Sequence, residues 1–514
     1  LTFSEYRLMR PCDFRSRGIV REHRSGRRPA FLHEPVRSMD TGAEEGSSIH
    51  HHVPVNEEGI EFVSRYRTYY ILKSYMSSRE AKNLSAPSAR SHRLFAGRRW
   101  DLTLSAAKRM LRESKYSRTS AAAMIIAADR NIAFVTEACE GLGNVRLFDS
   151  RDPVQLREAL RGAEVLLCRS TLCVDAALLE GSDVRFVATA TSGTDHLDLR
   201  WIEDAGIVWA SAAGSNARSV AEWIAAVLLE LHARKRTDLV GADIGIVGVG
   251  HVGAEVADIA RALLLRAVLN DPPRATRGEQ PLPWSDIPFS PLEELLHCRI
   301  LTLHTPLTSE GPYPTRRLIG ERRLGMLPGD ATVINASRGE VLDAEFAAGW
   351  RRREGGALAL DVFPGEPGID PAIVEAADLA TPHVAGHSLD GKLLGTQMMH
   401  DALCRFLDCK SSWDYTRYLP PVENFSLPPK ETILEADTPY DEILVVLRKA
   451  VPLLEDNASL RESMKLPHEQ RAATFKALRA DYPVRREFKR IPLRRDHFSS
   501  EAAHILDSLG FPTV

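Results

Sequence analysis

From residue 124 onward, short apolar runs alternate with stretches whose apolar side chains return every three or four positions. Residues 124–128, 145–148, 165–168, 184–189 and 207–210 are runs of four to six residues with few polar side chains. Strands apolar on both faces belong in a parallel sheet covered by helices, so the alternation predicts an α/β fold. Residues 219–235 then read as one long helix. Trp223, Ile224, Val227, Leu228 and Leu231 make it apolar nearly all round, which predicts burial between domains. Arg234, Lys235 and Arg236 close it where cations complement the helix dipole. A second series follows at 244–247, 267–270, 300–304, 332–335, 357–361 and 379–380, and six strands with intervening helices predict a doubly wound nucleotide domain. Beyond residue 410 the texture changes. Leu419-Pro420-Pro421 and Leu427-Pro428-Pro429 punctuate a linker, and the tail is expected to alternate helices with short strands as a small α+β domain.

The first 123 residues look different. They are rich in Arg, Ser and His, with stretches such as Arg24-Ser25-Gly26-Arg27-Arg28-Pro29, and show little sustained periodicity. Such composition buries too little apolar surface to offset the entropy of ordering, so a disordered extension is expected over a nucleic-acid-binding arm. The folded protein is expected to start at Met124.

Composition narrows the class. A length of 514 residues suggests two to four domains, and a formal net charge of -3 argues for neither a nucleic-acid surface nor an acidic tail. No apolar run approaches the roughly 18 residues that would span a membrane. The N-terminus lacks a charged-then-apolar signal pattern. Seven scattered cysteines without a C-x-x-C pair suit a reducing cytoplasm better than a disulfide framework or a zinc site. The expectation is a cytoplasmic enzyme with no nucleic-acid, membrane or metal partner.

The chemistry begins at Gly248-Val249-Gly250-His251-Val252-Gly253. A lone G-x-G-x-x-G is a weak signal, but this one leaves a β-branched strand and opens a helix. The first glycine makes the tight turn, the second admits a pyrophosphate, and the third lets helix and strand pack closely. Asp271 ends the next strand, where a carboxylate bonds the adenosine ribose and repels a 2′-phosphate, so NAD is favoured over NADP. Arg274, three residues on, keeps NADP in play. Three further residues, Arg338, Glu366 and His383, follow strands on the edge where such sheets bind ligands. Oxidising a 2-hydroxy acid needs a carboxylate clamp, a base and a hydride acceptor. Arg338 can clamp bidentately, His383 can take the hydroxyl proton, and Glu366 can hold the other ring nitrogen and its tautomer. Each alone could equally be a surface ion pair or a loop cap.

Asn335-Ala336-Ser337-Arg338-Gly339, Leu360-Asp361-Val362-Phe363 with Gly365-Glu366-Pro367, and Thr381-Pro382-His383-Val384-Ala385-Gly386 resemble the signature set of the D-2-hydroxyacid dehydrogenases. The resemblance implies that Arg338, Glu366 and His383 are catalytic, with His383 the proton donor and acceptor. It implies cofactor contacts from Gly248, Gly250, His251, Val252, Gly253, Asp271, Thr305, Ala336, Arg338, Asp361 and Gly386. It also implies a Rossmann-type nucleotide domain (219–382) inserted in a flavodoxin-like substrate domain (124–218 and 383–410). Arg169-Ser170-Thr171, the stretch from Ala190 to His196, Gly311-Pro312-Tyr313, and Arg485-Arg486-Glu487-Phe488 resemble one branch of that family. That branch oxidises 4-phospho-D-erythronate on the way to pyridoxal 5′-phosphate and carries a C-terminal dimerisation domain, here 411–514. A homodimer is implied, with Ser170, Thr191 and His387 touching substrate; His387 stands where the branch has a tyrosine. The apolar run over 441–454 is expected to be the partner surface. Another 2-hydroxy acid (glycerate, phosphoglycerate or hydroxypyruvate) and a non-catalytic NAD-sensing corepressor-like module remain alternatives.

Overall fold

The computed structural model describes residues 124–514 except 283–286, 354 and 423–424, so the extension expected over 1–123 lies outside the described residues. The first sheet is built from β1 (Ile125–Asp129), β2 (Asn144–Phe148), β3 (Val165–Cys168), β4 (Phe186–Thr189) and β5 (Val208–Ser211). All pairs are parallel, in the order β2-β1-β3-β4-β5, which is the flavodoxin-like order. The central strands β3 and β4 are buried at every position, as their unbroken apolar runs require.

Helix α1 (Ala217–Ala233) leaves this sheet for the second one and is buried along almost its whole length. The second sheet holds β6 (Asp243–Val247), β7 (Arg266–Asn270), β8 (Ile300–Leu303), β9 (Thr332–Asn335), β10 (Ala357–Leu360) and β11 (Leu379–Ala380). Its order is β7-β6-β8-β9-β10-β11, all parallel. Phe289 adds a single parallel bridge to Leu269 outside β7. Counting it as a third strand reduced to one pair gives the doubly wound order 3-2-1-4-5-6 with β11 appended. The switch point therefore falls between β6 and β8, and a crevice opens beyond their carboxyl ends. Helix α2 (His251–Ala262) starts at that crevice. After β11 the chain returns through α3 (Leu389–Phe406), whose Met399, Ala402, Leu403 and Cys404 pack on Ile126, Val165 and Phe186 of the first sheet.

The C-terminal segment differs from expectation. After a short helix at Lys430–Leu434 it consists of helices α4 (Pro439–Ala450), α5 (Leu453–Met464), α6 (His468–Ala480) and α7 (Ser500–Ser508) with short 3-10 turns. Among its described residues the only extended pairing is one bridge, Leu493 to Thr513. The run over 441–454 was expected to face a partner; it faces this chain instead. Ile443, Leu444, Val446, Leu447, Val451 and Leu453 are buried in a core shared with α1, α2 and the second sheet. A 12-residue amphipathic helix hides its apolar stripe wherever a complementary face lies, and α1 supplies that face. The homodimer thus rests on resemblance alone. Buried charges stitch the segment in place: Arg486 Nε lies 2.9 Å from Asp390 Oδ2 in α3, and Arg485 donates to the Ala385 carbonyl at 3.1 Å. Among the described residues no helix is long and apolar enough to cross a membrane.

Candidate active site

Gly248 turns the chain at φ +86°, in the left-handed region that a side chain disfavours. A Cβ there would lie 2.7 Å from the His304 carbonyl oxygen and 3.0 Å from Thr305 Cγ2, so only glycine lets β6 end against the β8 loop. Around Gly250 there is open space within 4 Å of a built Cβ, the room a pyrophosphate needs. Gly250 is also the N-cap of α2 and offers no side chain to it, so the first amides of α2 await an acceptor. A Cβ on Gly253 would overlap the Gly248 carbonyl, hence the third glycine. Thr305 Oγ1 is buried without a partner beside this loop, as a cofactor-facing hydroxyl would be. Val252 is half-buried, while His251 is exposed and packs its ring on the Gly214 backbone.

Asp271 caps the short helix that follows it, accepting from Arg274 N at 3.1 Å, and holds the glycine loop by accepting from Val249 N at 3.0 Å. Arg274 spends its guanidinium on the carbonyls of Val249, Pro281 and Gln280 and on Glu279. That cation is therefore occupied, and a 2′-phosphate would find Asp271 rather than Arg274. The loop fits NAD.

Two of the catalytic candidates, carried on loops that follow different strands, meet directly. His383 Nδ1 lies 2.7 Å from Glu366 Oε2. Glu366 Oε1 accepts from Phe363 N at 2.9 Å, which locks the carboxylate over its own loop. Burial alone would raise the Glu366 carboxyl; His383, the Phe363 amide and the Arg479 guanidinium outweigh it and hold it below the usual carboxylate range. His383 sits at φ +57°, a strained conformation for a side-chain-bearing residue, so something must impose it. Asp361 does. It is 1% exposed, and it accepts from Thr381 Oγ1 (2.6 Å) and Val384 N (2.8 Å) on Oδ1 and from Ala385 N (3.0 Å) on Oδ2. The carboxylate expected to contact the cofactor is first of all the anchor of the His383 turn. Burial raises its carboxyl against the pull of those donors.

Arg338 reaches across from the second sheet to the first. Its Nε and Nη2 both donate to Asp195 Oδ2, at 3.0 and 2.6 Å, and Nη1 donates to the Ser337 carbonyl at 2.8 Å. Asn335 holds the turn beneath it, donating to the Arg338 carbonyl and accepting from Ser337. Asp195 is the site residue that the sequence did not single out, although it lies within the branch-like stretch after β4. Its side chain is 54% exposed and that of Arg338 30%, so the pair contributes only about 0–1 kcal/mol and an incoming carboxylate can compete for the guanidinium.

The remaining candidates are spread around this centre. Thr191 Oγ1 pairs with Thr189 Oγ1 at 2.8 Å, and the Thr189 hydroxyl in turn meets His196 Nε2 at 3.0 Å. Ser170 is exposed after β3, and Ala336 is half-buried after β9. Gly386 backs onto Asn216, which accepts from Ser192 Oγ at 2.7 Å. His387 stands edge-on to Tyr482 with ring centres 5.5 Å apart, and its Nδ1 is buried without a partner. Burial first, and then the cations Lys392, Arg479, His383 and Arg485, push the His387 imidazole well below its ordinary range, so it is neutral. Tyr482 donates to Asp456 at 2.8 Å. The C-terminal segment thus forms one wall of the site, which no spacing within the sequence could show.

Residues 213–385 match the family model for the NAD binding domain of D-isomer specific 2-hydroxyacid dehydrogenases. Over the longer span the chain is similar to the erythronate-4-phosphate dehydrogenase of Marinobacter nauticus, with 40% identity over 394 residues, 76% of this chain and 99% of that protein. The protein of that name from Azotobacter vinelandii is 39% identical over 403 residues, covering 76% of this chain and 100% of its own length. The one from Salinibacter ruber is 38% identical over 369 residues, 71% of this chain and 92% of its own. With a glycine loop that fits NAD and an Arg/Glu/His set assembled from three strands, the chain belongs to the erythronate-4-phosphate dehydrogenase family, within the D-isomer specific 2-hydroxyacid dehydrogenases.

Proposed function

We propose that this chain oxidises 4-phospho-D-erythronate at C2 to 3-hydroxy-2-oxo-4-phosphooxybutanoate, with NAD as the oxidant, as a step toward pyridoxal 5′-phosphate. The observation that carries the reading is the Glu366–His383 pair at 2.7 Å, with His383 in a strained turn and the Arg338 loop packed against the Glu366 loop where Gly339 meets Phe363 and Pro364. When bound, NAD accepts the C2 hydride. The rest of the work falls to the chain. The Gly248–Gly253 loop and the amides of α2 bind the pyrophosphate. Arg338 takes the substrate carboxylate in its fork, in competition with Asp195. His383 keeps Nδ1 on Glu366, and its Nε2, which has no partner among the described residues, takes the C2 hydroxyl proton as the carbonyl forms. Glu366, ionised at neutral pH, stabilises the imidazolium that results. In reduction the same nitrogen returns the proton. The names of the relatives support this substrate over other 2-hydroxy acids.

The test is a substrate panel with NAD, following absorbance of the reduced cofactor. Turnover of 4-phosphoerythronate well above 3-phosphoglycerate and glycerate is the expected result. A preference for either of those, or no turnover of any of the three, would overturn the assignment.

A further inference from the structure

The surroundings of Glu366 and His387 carry more positive charge than hydride transfer uses. Arg479, in the last turn of α6, makes no hydrogen bond or ion pair with the described residues, and its Nε is buried without a partner. Other half-buried arginines of the segment are satisfied: Arg461 donates to the Val374 and Ala377 carbonyls and to Asn457, and Arg471 donates to the Leu466 carbonyl. Arg479 is held near the catalytic centre by packing. Its guanidinium carbon lies 6.0 Å from the centre of the Phe475 ring, and fully buried Phe475 meets Phe363 edge-on at 6.5 Å. Phe363 is the residue whose amide grips Glu366. The same nearness is felt electrostatically, since Arg479 acts on both Glu366 and His387. Lys392, in the first turn of α3, also acts on His387 and has no side-chain partner among the described residues, with Arg169 beyond it. Two cations without side-chain hydrogen bonds among the described residues thus act on a neutral imidazole whose Nδ1 is itself unsatisfied.

An array of unpaired donors around one wall matches a small dianion. A guanidinium fork fits phosphate oxygens bidentately, and an ammonium adds a point charge. We propose that Arg479 is a specificity-determining residue whose guanidinium, with Lys392 and His387, receives the distal phosphate of the substrate. The C-terminal segment then has a catalytic consequence: it delivers the group that selects a phosphorylated 2-hydroxy acid. This rests on the reading above, that the substrate is 4-phosphoerythronate.

The experiment compares kcat/KM for 4-phosphoerythronate and for unphosphorylated erythronate in the wild type, Arg479→Gln and Arg479→Lys, together with competitive inhibition by inorganic phosphate. In Arg479→Gln the preference for the phosphorylated acid should fall by about 10- to 100-fold, chiefly through KM, the loss of a charge-assisted hydrogen bond. Phosphate inhibition should weaken in step, and Arg479→Lys should recover part of both. An unchanged preference, or a fall in kcat with KM and phosphate inhibition unmoved, would overturn the proposal and leave Arg479 as a brace for Phe475 and Glu366. In that case the 4-phosphoerythronate reading stands. A wild type that shows no preference for the phosphorylated acid overturns both.

Discussion

Replacing Asp361 with Asn tests whether the strained His383 turn is imposed by one buried carboxylate. The wild-type carboxylate receives three donors, two of them backbone amides of the turn, at 2.6, 2.8 and 3.0 Å. The best orientation of an Asn amide keeps its oxygen on Thr381 and Val384 and turns its NH2 against the Ala385 amide. That leaves one buried backbone N–H without an acceptor and one buried amide donor facing another donor, each a loss of about 1–3 kcal/mol. Relief from burying a charge offsets part of this, so the net cost is about 2–4 kcal/mol. Val384 and Ala385 follow His383 directly, so the strain at φ +57° relaxes by moving the imidazole. A displacement near an ångström at a reacting group costs roughly 10²-fold in rate. The assay is kcat at saturating NAD, with thermal unfolding alongside. A fall of about 30- to 100-fold and a melting temperature lower by a few degrees are expected. A separate loss of NAD affinity would show that the remaining lone pair of Asp361 Oδ2 also meets the cofactor, as the resemblance implies. Turnover within about twofold of wild type would refute the anchoring argument.

Three other outcomes follow from the same geometry. Gly339→Ala would set a Cβ into the Phe363 carbonyl and the Pro364 nitrogen, backbone against backbone, and so push the Arg338 and Glu366 loops apart. It should cost about 1–3 kcal/mol of stability and most of the turnover, and a variant with normal kcat would show that the loops tolerate separation. Asp271→Ala removes a helix cap worth about 0.5–2 kcal/mol and the tie to Val249, so the KM for NAD should rise by about tenfold and the gap to NADP should narrow. An unchanged cofactor preference would place the ribose contact elsewhere. Burial pushes the Asp456 carboxyl up to about 7, despite the Tyr482 hydroxyl that favours its ionised form. A folded-state pKa above the unfolded one means that its contribution to stability is fully present below about pH 4 and is lost as pH rises through about 7. Melting temperature should therefore fall between pH 5 and 8 in the wild type relative to Asp456→Asn, and parallel curves would count against the raised value.

The sequence by itself determined whatever depends on neighbours along the chain. Short apolar runs with few polar residues predict strands buried on both faces, and the central β3 and β4 are so buried, whereas β2 and β5 at the sheet edges are not. The helix across 219–235, read as apolar all round, is α1, buried against α2, α4 and the second sheet. Gly248, Gly250 and Gly253 lie within six residues, so the tight turn, the open space and the close helix contact were all legible from spacing. Arg338, Glu366 and His383 could each be named because each follows a strand within a motif resembling the family signature, and parallel strands deliver their ends to one edge. Only the tertiary structure decided what meets across long separations. The Arg338–Asp195 pair spans 143 positions and two sheets, and no period or motif links them. Whether an apolar helix stripe faces a second copy or its own chain is also invisible locally, because α4 reads the same either way; here α1 covers it. The same holds for Tyr482 beside His387 and for Arg479 on Phe475, which packs against Phe363 of the Glu366 loop. A side chain's chemistry is set by its residue type, but the group it acts on is set by how helices pack, and packing is a property of the whole chain.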